Sequence, residues 1–128
     1  MGVDSERYGP VSLLRPRGAL DATASSWFEP TLLAALAASG DAVALVVVDF
    51  AAVPFISSAG LRVVMIGAKQ ARAAGARLVV AALTPTVREI FEISRFHHVV
   101  PVFATVTEAI ASLSEAGAAA FAAGRREA

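Results

Sequence analysis

Two serines and a glycine stand where a predicted strand passes into a predicted helix. Ser57 and Ser58 follow the apolar run of residues 43–48, and Gly60 opens an apolar helix predicted over residues 60–74. The first turn of a helix offers free backbone N–H groups and the positive end of the helix dipole, so it tolerates phosphate well. The carboxyl ends of strands are also where α/β proteins usually place functional residues. This junction is therefore either a plain helix cap or a hydroxyl exposed for modification.

The two hydroxyls lack the surroundings of a catalytic nucleophile. A nucleophile elbow requires the pattern G-x-S-x-G, and neither serine has a glycine two residues before it. A small hydrolase is therefore the least favoured reading. The scattered glycines form no phosphate-binding motif for a nucleotide. His97 and His98 are adjacent and would point apart, and the chain has no cysteine, so we expect surface histidines and neither a metal nor a cofactor.

Two acidic residues lie near the ends of predicted strands. Asp21 and Asp49 could form a catalytic pair, but no sequence pattern ties them together, and capping or turn roles are favoured. Asp21 or Thr23 could cap the helix that follows them. Among the nearby aromatic residues, Phe28 is predicted to be in the core, whereas Trp27 is open to either a core or a partner-facing position.

The composition favours one globular domain without a nucleic-acid partner. The chain has 128 residues, enough for one domain with a real core. Although 56% of the residues are hydrophobic, no uninterrupted apolar run approaches the roughly 20 residues of a membrane span. Eleven basic and eleven acidic residues cancel, which leaves no basic stripe for nucleic acid and little protection against homodimer formation. Residues 1–10 lack a signal-peptide core, so the expected location is the cytoplasm.

Strand and helix patterns alternate along the chain. Strands are predicted over residues 11–14, 43–48, 77–82 and 99–103. Pro16 would end the first of these or confine it to an edge, and Pro101 makes the last an edge strand. Helical patterns cover residues 28–36, 60–74, 85–94 and 109–113, with a turn predicted over residues 39–41. Thr84 and Thr105 are predicted to cap the last two helices, and Pro30 would delay or kink the first one.

This alternation predicts an α/β fold with a mixed sheet of four to five strands. About four helices would pack mainly on one face of the sheet, and the short crossovers favour parallel neighbours. We expect residues 1–10 to form an N-terminal extension, residues 11–115 the domain, and residues 116–128 an alanine-rich tail that continues the last helix or frays.

Three segments, taken together, resemble STAS domains. Residues 18–21 (Gly-Ala-Leu-Asp), residues 49–61 around the two serines and residues 84–94 are similar to family segments in the same order, and the resemblance extends over residues 11–113. The run Ser-Ser-Ala-Gly-Leu-Arg is most similar to bacterial anti-sigma factor antagonists.

The resemblance implies a phosphorylation-switched binding protein and not an enzyme. In such proteins a serine aligned with Ser58 is phosphorylated by a partner that is both anti-sigma factor and serine kinase. The unmodified form binds this partner and frees a sigma factor, the phosphorylated form lets go, and a serine phosphatase resets the switch. Partner-binding residues would be Ser58 with Asp21, Asp49, Ser57, Ala59, Gly60 and Leu61.

The chain departs from the family pattern immediately before the acceptor. Ser57 stands where the family usually has an aspartate, so either that acid is dispensable, Ser57 takes part itself, or the protein is a non-phosphorylated member. Ser57 is the second choice as acceptor, because both serines lie within one turn of the same helix start. The alternative implied by the same resemblance is a non-phosphorylated STAS scaffold, or an accessory subunit of a stress-signalling or lipid-transport complex.

Overall fold

The computed structural model describes residues 2–37 and 43–124, and these contain one five-stranded mixed sheet. The strands follow chain order across the sheet: β1 (Gly2–Tyr8), β2 (Val11–Arg17), β3 (Leu45–Asp49), β4 (Arg77–Ala81) and β5 (Val102–Phe103). β1 is antiparallel to β2, whereas the other neighbouring strands are parallel. The predicted α/β class and mixed sheet are confirmed.

Six helices in the described residues cover the two faces of this sheet. They are α1 (Ala24–Trp27), α2 (Glu29–Leu36), α3 (Ser58–Ala74), α4 (Pro85–Ile93), α5 (Val106–Leu113) and α6 (Glu115–Ala122), with a 3₁₀ turn at Phe96–His98. Helices α1 to α4 share one buried cluster with Leu14, Val46 and Val48, while α5 and α6 share another with Leu13 and Val47. Side chains alternate along a strand, so these clusters lie on opposite faces. None of the described helices is long and apolar enough to cross a bilayer.

One edge of the sheet is where the sequence predicts it, because β5 lies within the edge strand predicted at residues 99–103, but the other edge is not. The strand predicted at residues 11–14 is interior, because β2 pairs with β1 on one side and β3 on the other. Pro16 is tolerated since it lies beyond Leu14, the last β2 residue that pairs with β3. The second edge strand is β1, which occupies the predicted N-terminal extension. Its polar sequence does not indicate a strand, because Tyr8 is the one buried residue among its seven.

The alanine-rich segment predicted as a tail contributes a packed helix. α6 begins with Ser114 as its cap and lies against β1, where Phe121 meets Tyr8 edge to face with ring centroids 4.9 Å apart. Gly117 allows the close approach, since a Cβ there would stand 2.8 Å from Cγ2 of Val11. Small residues bring a helix near a sheet without producing a strong apolar periodicity, so the sequence left open whether this segment is helical or frays; the structure shows a separate packed helix.

Several local signals are confirmed and one is wrong. Gly75 ends α3 in the left-handed conformation at φ 70°, and Thr105 caps α5 by accepting from the backbone N–H of Glu108 at 3.1 Å. Pro30 lies in the first turn of α2, where no N–H is needed. Thr84, however, makes no side-chain cap; its hydroxyl donates to the carbonyl of Val53 at 3.0 Å. The predicted turn at residues 39–41 and the end of the tail lie outside the described residues.

Candidate functional site

The loop between β3 and α3 is held against the segment that follows β2. Leu20 forms an isolated parallel bridge with Ile56, and its N–H donates to the carbonyl of Phe55 at 3.0 Å. The carbonyl of Leu20 accepts the N–H of Ser57 at 2.9 Å. Leu20 and Ile56 are both buried, so the bridge fixes the loop to the core. The approach to α3 is therefore set by backbone pairing before either serine side chain is considered.

Ser57 is the N-cap of α3. Its Oγ accepts the backbone N–H of Gly60 at 3.3 Å and lies 3.3 Å from the carbonyl oxygen of Leu20, to which the hydroxyl donates. The hydroxyl thus uses both its donor and an acceptor site on the protein's own backbone. This settles which of the two serines caps the helix.

Ser58 is the first residue of α3 and is exposed. Because Ser57 is the N-cap, the Ser58 side chain is not needed to cap α3. In the part of the chain that the structure describes, its hydroxyl makes no side-chain hydrogen bond, and both histidines lie on the 3₁₀ turn at Phe96–His98. The arrangement presents an accessible hydroxyl at a helix start, and no residue within 2–37 and 43–124 is hydrogen-bonded to it as an activating base.

Gly60 is the reason that α3 can begin so close to Leu20. A Cβ at this position would stand 2.2 Å from the carbonyl oxygen of Leu20 and 2.8 Å from Cγ1 of Ile56. Both neighbours are held in place, one by backbone pairing and the other by burial. The glycine is therefore a packing requirement of the junction.

Asp21 lies beside the junction and organises the turn into α1. Its Oδ1 accepts the backbone N–H of Thr23 at 2.9 Å and the Thr23 hydroxyl at 2.7 Å, while the indole N–H of Trp27 donates to that hydroxyl at 3.0 Å. The hydrogen bonds from Thr23, first from its side chain and then from its backbone, lower the pKa of Asp21. Trp27 is half-buried and packs against the core, and Phe28 is fully buried, as predicted.

Asp49 is not brought to the same surface. Its side chain is 6% exposed and accepts from Nη1 of Arg15 at 2.6 Å and from the N–H of Ala51 at 2.9 Å. Nε of Arg15 lies 3.3 Å from Oε2 of Glu6, an ion pair without hydrogen-bond geometry. By strand alternation Asp49 shares its face with Val47, under α5 and α6, whereas α3 packs on the other face. Its carboxylate holds the turn after β3 on the face of the sheet that α5 and α6 cover.

Two exposed residues near Ser58 were not singled out in the sequence. Phe55 is 46% exposed in the loop before α3, and Arg62 is exposed on the second turn of the helix. An exposed phenylalanine beside Pro54 carries no periodic signal, so nothing in the sequence separates it from a core residue. Ala59 and Leu61 of the predicted rim are half-buried, with Leu61 packed against the core.

The remaining polar candidates lie elsewhere. His97 and His98 are exposed on the 3₁₀ turn, as predicted for surface histidines. The prediction that they point apart is wrong, because the 3₁₀ turn brings their ring centroids within 4.1 Å of each other. Within residues 2–37 and 43–124, no three histidine, aspartate or glutamate side chains gather as ligands of a metal ion would.

Known proteins resemble this chain in sequence and in fold. BtrV of Bordetella bronchiseptica, named as an anti-sigma factor antagonist, is 49% identical over 76 residues; the match spans 59% of this chain and 59% of that protein. An anti-sigma factor antagonist from Mycobacterium paratuberculosis has the same fold, with a TM-score of 0.75 and 22% identity over 87% of this chain and 92% of that one.

The anti-sigma factor antagonist SpoIIAA shares the fold in two solved forms. The unphosphorylated form has a TM-score of 0.70 and 24% identity over 88% of this chain and 96% of that one. The phosphorylated Bacillus form has a TM-score of 0.65 and 23% identity over 88% of this chain and 100% of that one. The family model of the STAS domain matches residues 3–109, so the chain belongs to the STAS domain family.

Proposed function

We propose that this protein is an anti-sigma factor antagonist whose binding to an anti-sigma factor is switched off by phosphorylation of Ser58. The observation that carries the proposal is the division of labour at the start of α3, where Ser57 caps the helix and Ser58 is exposed. The names of BtrV and of the structural neighbours support an antagonist role. The existence of SpoIIAA in a phosphorylated form supports a modified state for this fold.

The hydrogen bonds favour Ser58 over Ser57 as the acceptor. Phosphorylating Ser57 would replace a hydroxyl that donates to the Leu20 carbonyl with an anion facing that carbonyl oxygen, and it would disturb the cap to Gly60. Phosphorylating Ser58 breaks no hydrogen bond of the described structure. A kinase would transfer the γ-phosphoryl group of ATP to Oγ of Ser58, with loss of the hydroxyl proton and release of ADP.

The charge of the product accounts for a switch at the surface. A phosphoserine carries about −1.5 to −2 charges at pH 7. The start of α3 tolerates that charge, so the domain has no need to unfold. A closely packed interface does not, because the phosphate must be desolvated or meets acidic groups of the partner.

The binding surface we propose centres on Ser58 and includes exposed Phe55. Phe55 offers an aromatic anchor three residues before Ser58, and such residues dominate the energetics of many interfaces. Asp21 would contribute through the turn beside the junction. Asp49, Gly60 and Ser57 would act indirectly, because they hold the loop and the helix start in place. We propose a regulatory role in the cytoplasm, with a serine phosphatase as the enzyme that removes the phosphate. Solution measurements of mass would test whether the protein forms a homodimer.

Phosphate transfer tests the proposal directly. The protein and its Ser58→Ala and Ser57→Ala variants would be incubated with ATP and the anti-sigma factor kinase of the same organism, and their intact masses measured. We expect one phosphate on the wild type and on Ser57→Ala, and none on Ser58→Ala. A wild-type protein that binds the kinase but gains no phosphate would instead favour the scaffold role. Phosphate retained on Ser58→Ala would move the acceptor to another residue.

A further inference from the structure

We propose that Arg62 is the intramolecular partner of the phosphate on Ser58, holding it across one turn of α3. This inference rests on the proposed function, since it concerns the modified form of Ser58. Arg62 would bind the phosphate group after it has been attached to Ser58.

The spacing places Arg62 within reach. Residues four apart on a helix lie on the same face, with Cβ atoms roughly 5–6 Å apart. Both residues belong to α3, which runs without interruption from Ser58 to Ala74. Side chains on a helix lean towards its N-terminus, so the long Arg62 side chain leans towards Ser58. A guanidinium group can then meet the phosphate oxygens with two parallel N–H bonds.

Arg62 is free to take this partner. It is exposed, and in the described part of the chain it makes no ion pair or side-chain hydrogen bond. α3 itself carries three basic residues and no acidic one. No carboxylate on the same helix therefore competes with a phosphate for Arg62, and pairing requires the rupture of no existing bond.

The surface beside Ser58 leaves room for the arginine to move. Arg62 lines a groove of about 410 Å³ between α1 and α3 whose walls include the small side chains of Ala22, Ser25 and Ala59. Glu29 lines the same groove but forms no ion pair with Arg62 among the described residues. This carboxylate disfavours a free anion in the groove. A phosphate tethered one helical turn away overcomes the disadvantage, because its effective concentration at Arg62 is high.

Lys69 provides a matched control on the same helix. It is exposed and carries the same charge as Arg62. Eleven residues separate it from Ser58, which corresponds to about 16 Å along the helix axis and nearly the same face. That distance exceeds the Debye length of roughly 8 Å at physiological ionic strength, so Lys69 feels the phosphate only weakly.

The test uses phosphoserine incorporated at position 58 during translation, so that no kinase is required. The probe is the ³¹P resonance of this residue, titrated with pH in the full chain and in its Arg62→Gln, Arg62→Lys and Lys69→Gln variants. We expect the second phosphate pKa to lie below the usual value of about 6. Arg62→Gln should raise this pKa by about 0.2–0.4, Arg62→Lys by less, and Lys69→Gln by under about 0.1.

Equal titration curves for Arg62→Gln and Lys69→Gln would overturn the inference. A second measurement on the wild type is independent of any variant's folding: the Nε–Hε resonance of Arg62 should shift as the phosphate titrates, and a resonance that does not follow the phosphate would also overturn the inference. Because the phosphate is installed without a kinase, these results are distinguishable from a failure of the proposed function, which would appear as absent phosphate transfer.

Discussion

The hydroxyl of Ser57 stands between Gly60 and Leu20, accepting the N–H of the first and donating to the carbonyl of the second, each at 3.3 Å. It ties the start of α3 to the segment after β2. It also leaves Ser58, the next residue, without a structural bond to lose. The two adjacent serines therefore differ in role: Ser57 stabilises the start of α3, whereas the hydroxyl of Ser58 is accessible to a partner.

Removing the cap should destabilise the protein, whereas removing the neighbouring hydroxyl should not. Ser57→Ala leaves the N–H of Gly60 without its acceptor and should lower the free energy of unfolding by about 1 kcal/mol, measured by urea denaturation. Ser58→Ala is the matched control and should change it by less than about 0.5 kcal/mol. Equal losses in the two variants would contradict the assignment of the cap.

Filling the space at Gly60 should be costly. Gly60→Ala places a methyl group against the Leu20 carbonyl and Ile56, so we expect a loss of at least about 2 kcal/mol in denaturant unfolding. Gly75→Ala is a useful comparison, because a Cβ there meets nothing within 4 Å and only the left-handed backbone is strained. That variant should lose about 1 kcal/mol. A Gly60→Ala protein as stable as the wild type would show that Leu20 and α3 can separate freely.

The buried carboxylate of Asp49 should depend on its arginine. Arg15→Leu leaves Asp49 with the N–H of Ala51 alone and should cost about 2–3 kcal/mol in the free energy of unfolding. Arg17→Leu removes an exposed pair with Asp4 and should cost under about 1 kcal/mol. Similar losses for the two arginines would argue against a structural role for the pair beneath the loop.

The turn before α1 should show a pH dependence of defined sign. Hydrogen bonds from Thr23 lower the pKa of Asp21 in the folded protein. The contribution of Asp21 to stability is therefore complete above its ordinary pKa and is lost as the pH falls through the lowered value. Carboxyl ¹³C NMR should find the lowered pKa, and Thr23→Val should return it towards normal. A pKa of Asp21 that is the same in both proteins would contradict this account.

The position of the site could be predicted from the sequence, but the role of each serine could not, because that role depends on long-range contacts. Local patterns predict the strand-to-helix junction at Ser57 and Ser58, because an apolar run precedes the two serines and a glycine follows them. Which serine caps the helix depends on the carbonyl of Leu20, 37 residues away, and on the backbone pairing of Leu20 with Ile56. The close approach that requires Gly60 has the same long-range origin.

The missed elements were those whose burial depends on tertiary partners. The sequence of β1 predicts a polar extension, because an edge strand can remain mostly exposed. The sequence of α6 predicts a tail that continues the last helix or frays, because alanine and glycine pack closely without apolar periodicity. Asp49 was placed near the site by its position at the end of β3. Strand alternation directs its side chain to the opposite face, where Arg15 meets it.

Binding of the anti-sigma factor to protein with and without phosphoserine at position 58 tests the central claim most directly. Calorimetric titration at constant salt would compare the unmodified protein with the phosphorylated one, with Ser58→Ala as the uncharged control. We predict that the unmodified and Ser58→Ala proteins bind, and that phosphoserine weakens the affinity by about 100-fold or more, as expected for a phosphate that must be desolvated at a closely packed interface. Equal affinities of the phosphorylated and unmodified proteins would contradict the switch at Ser58.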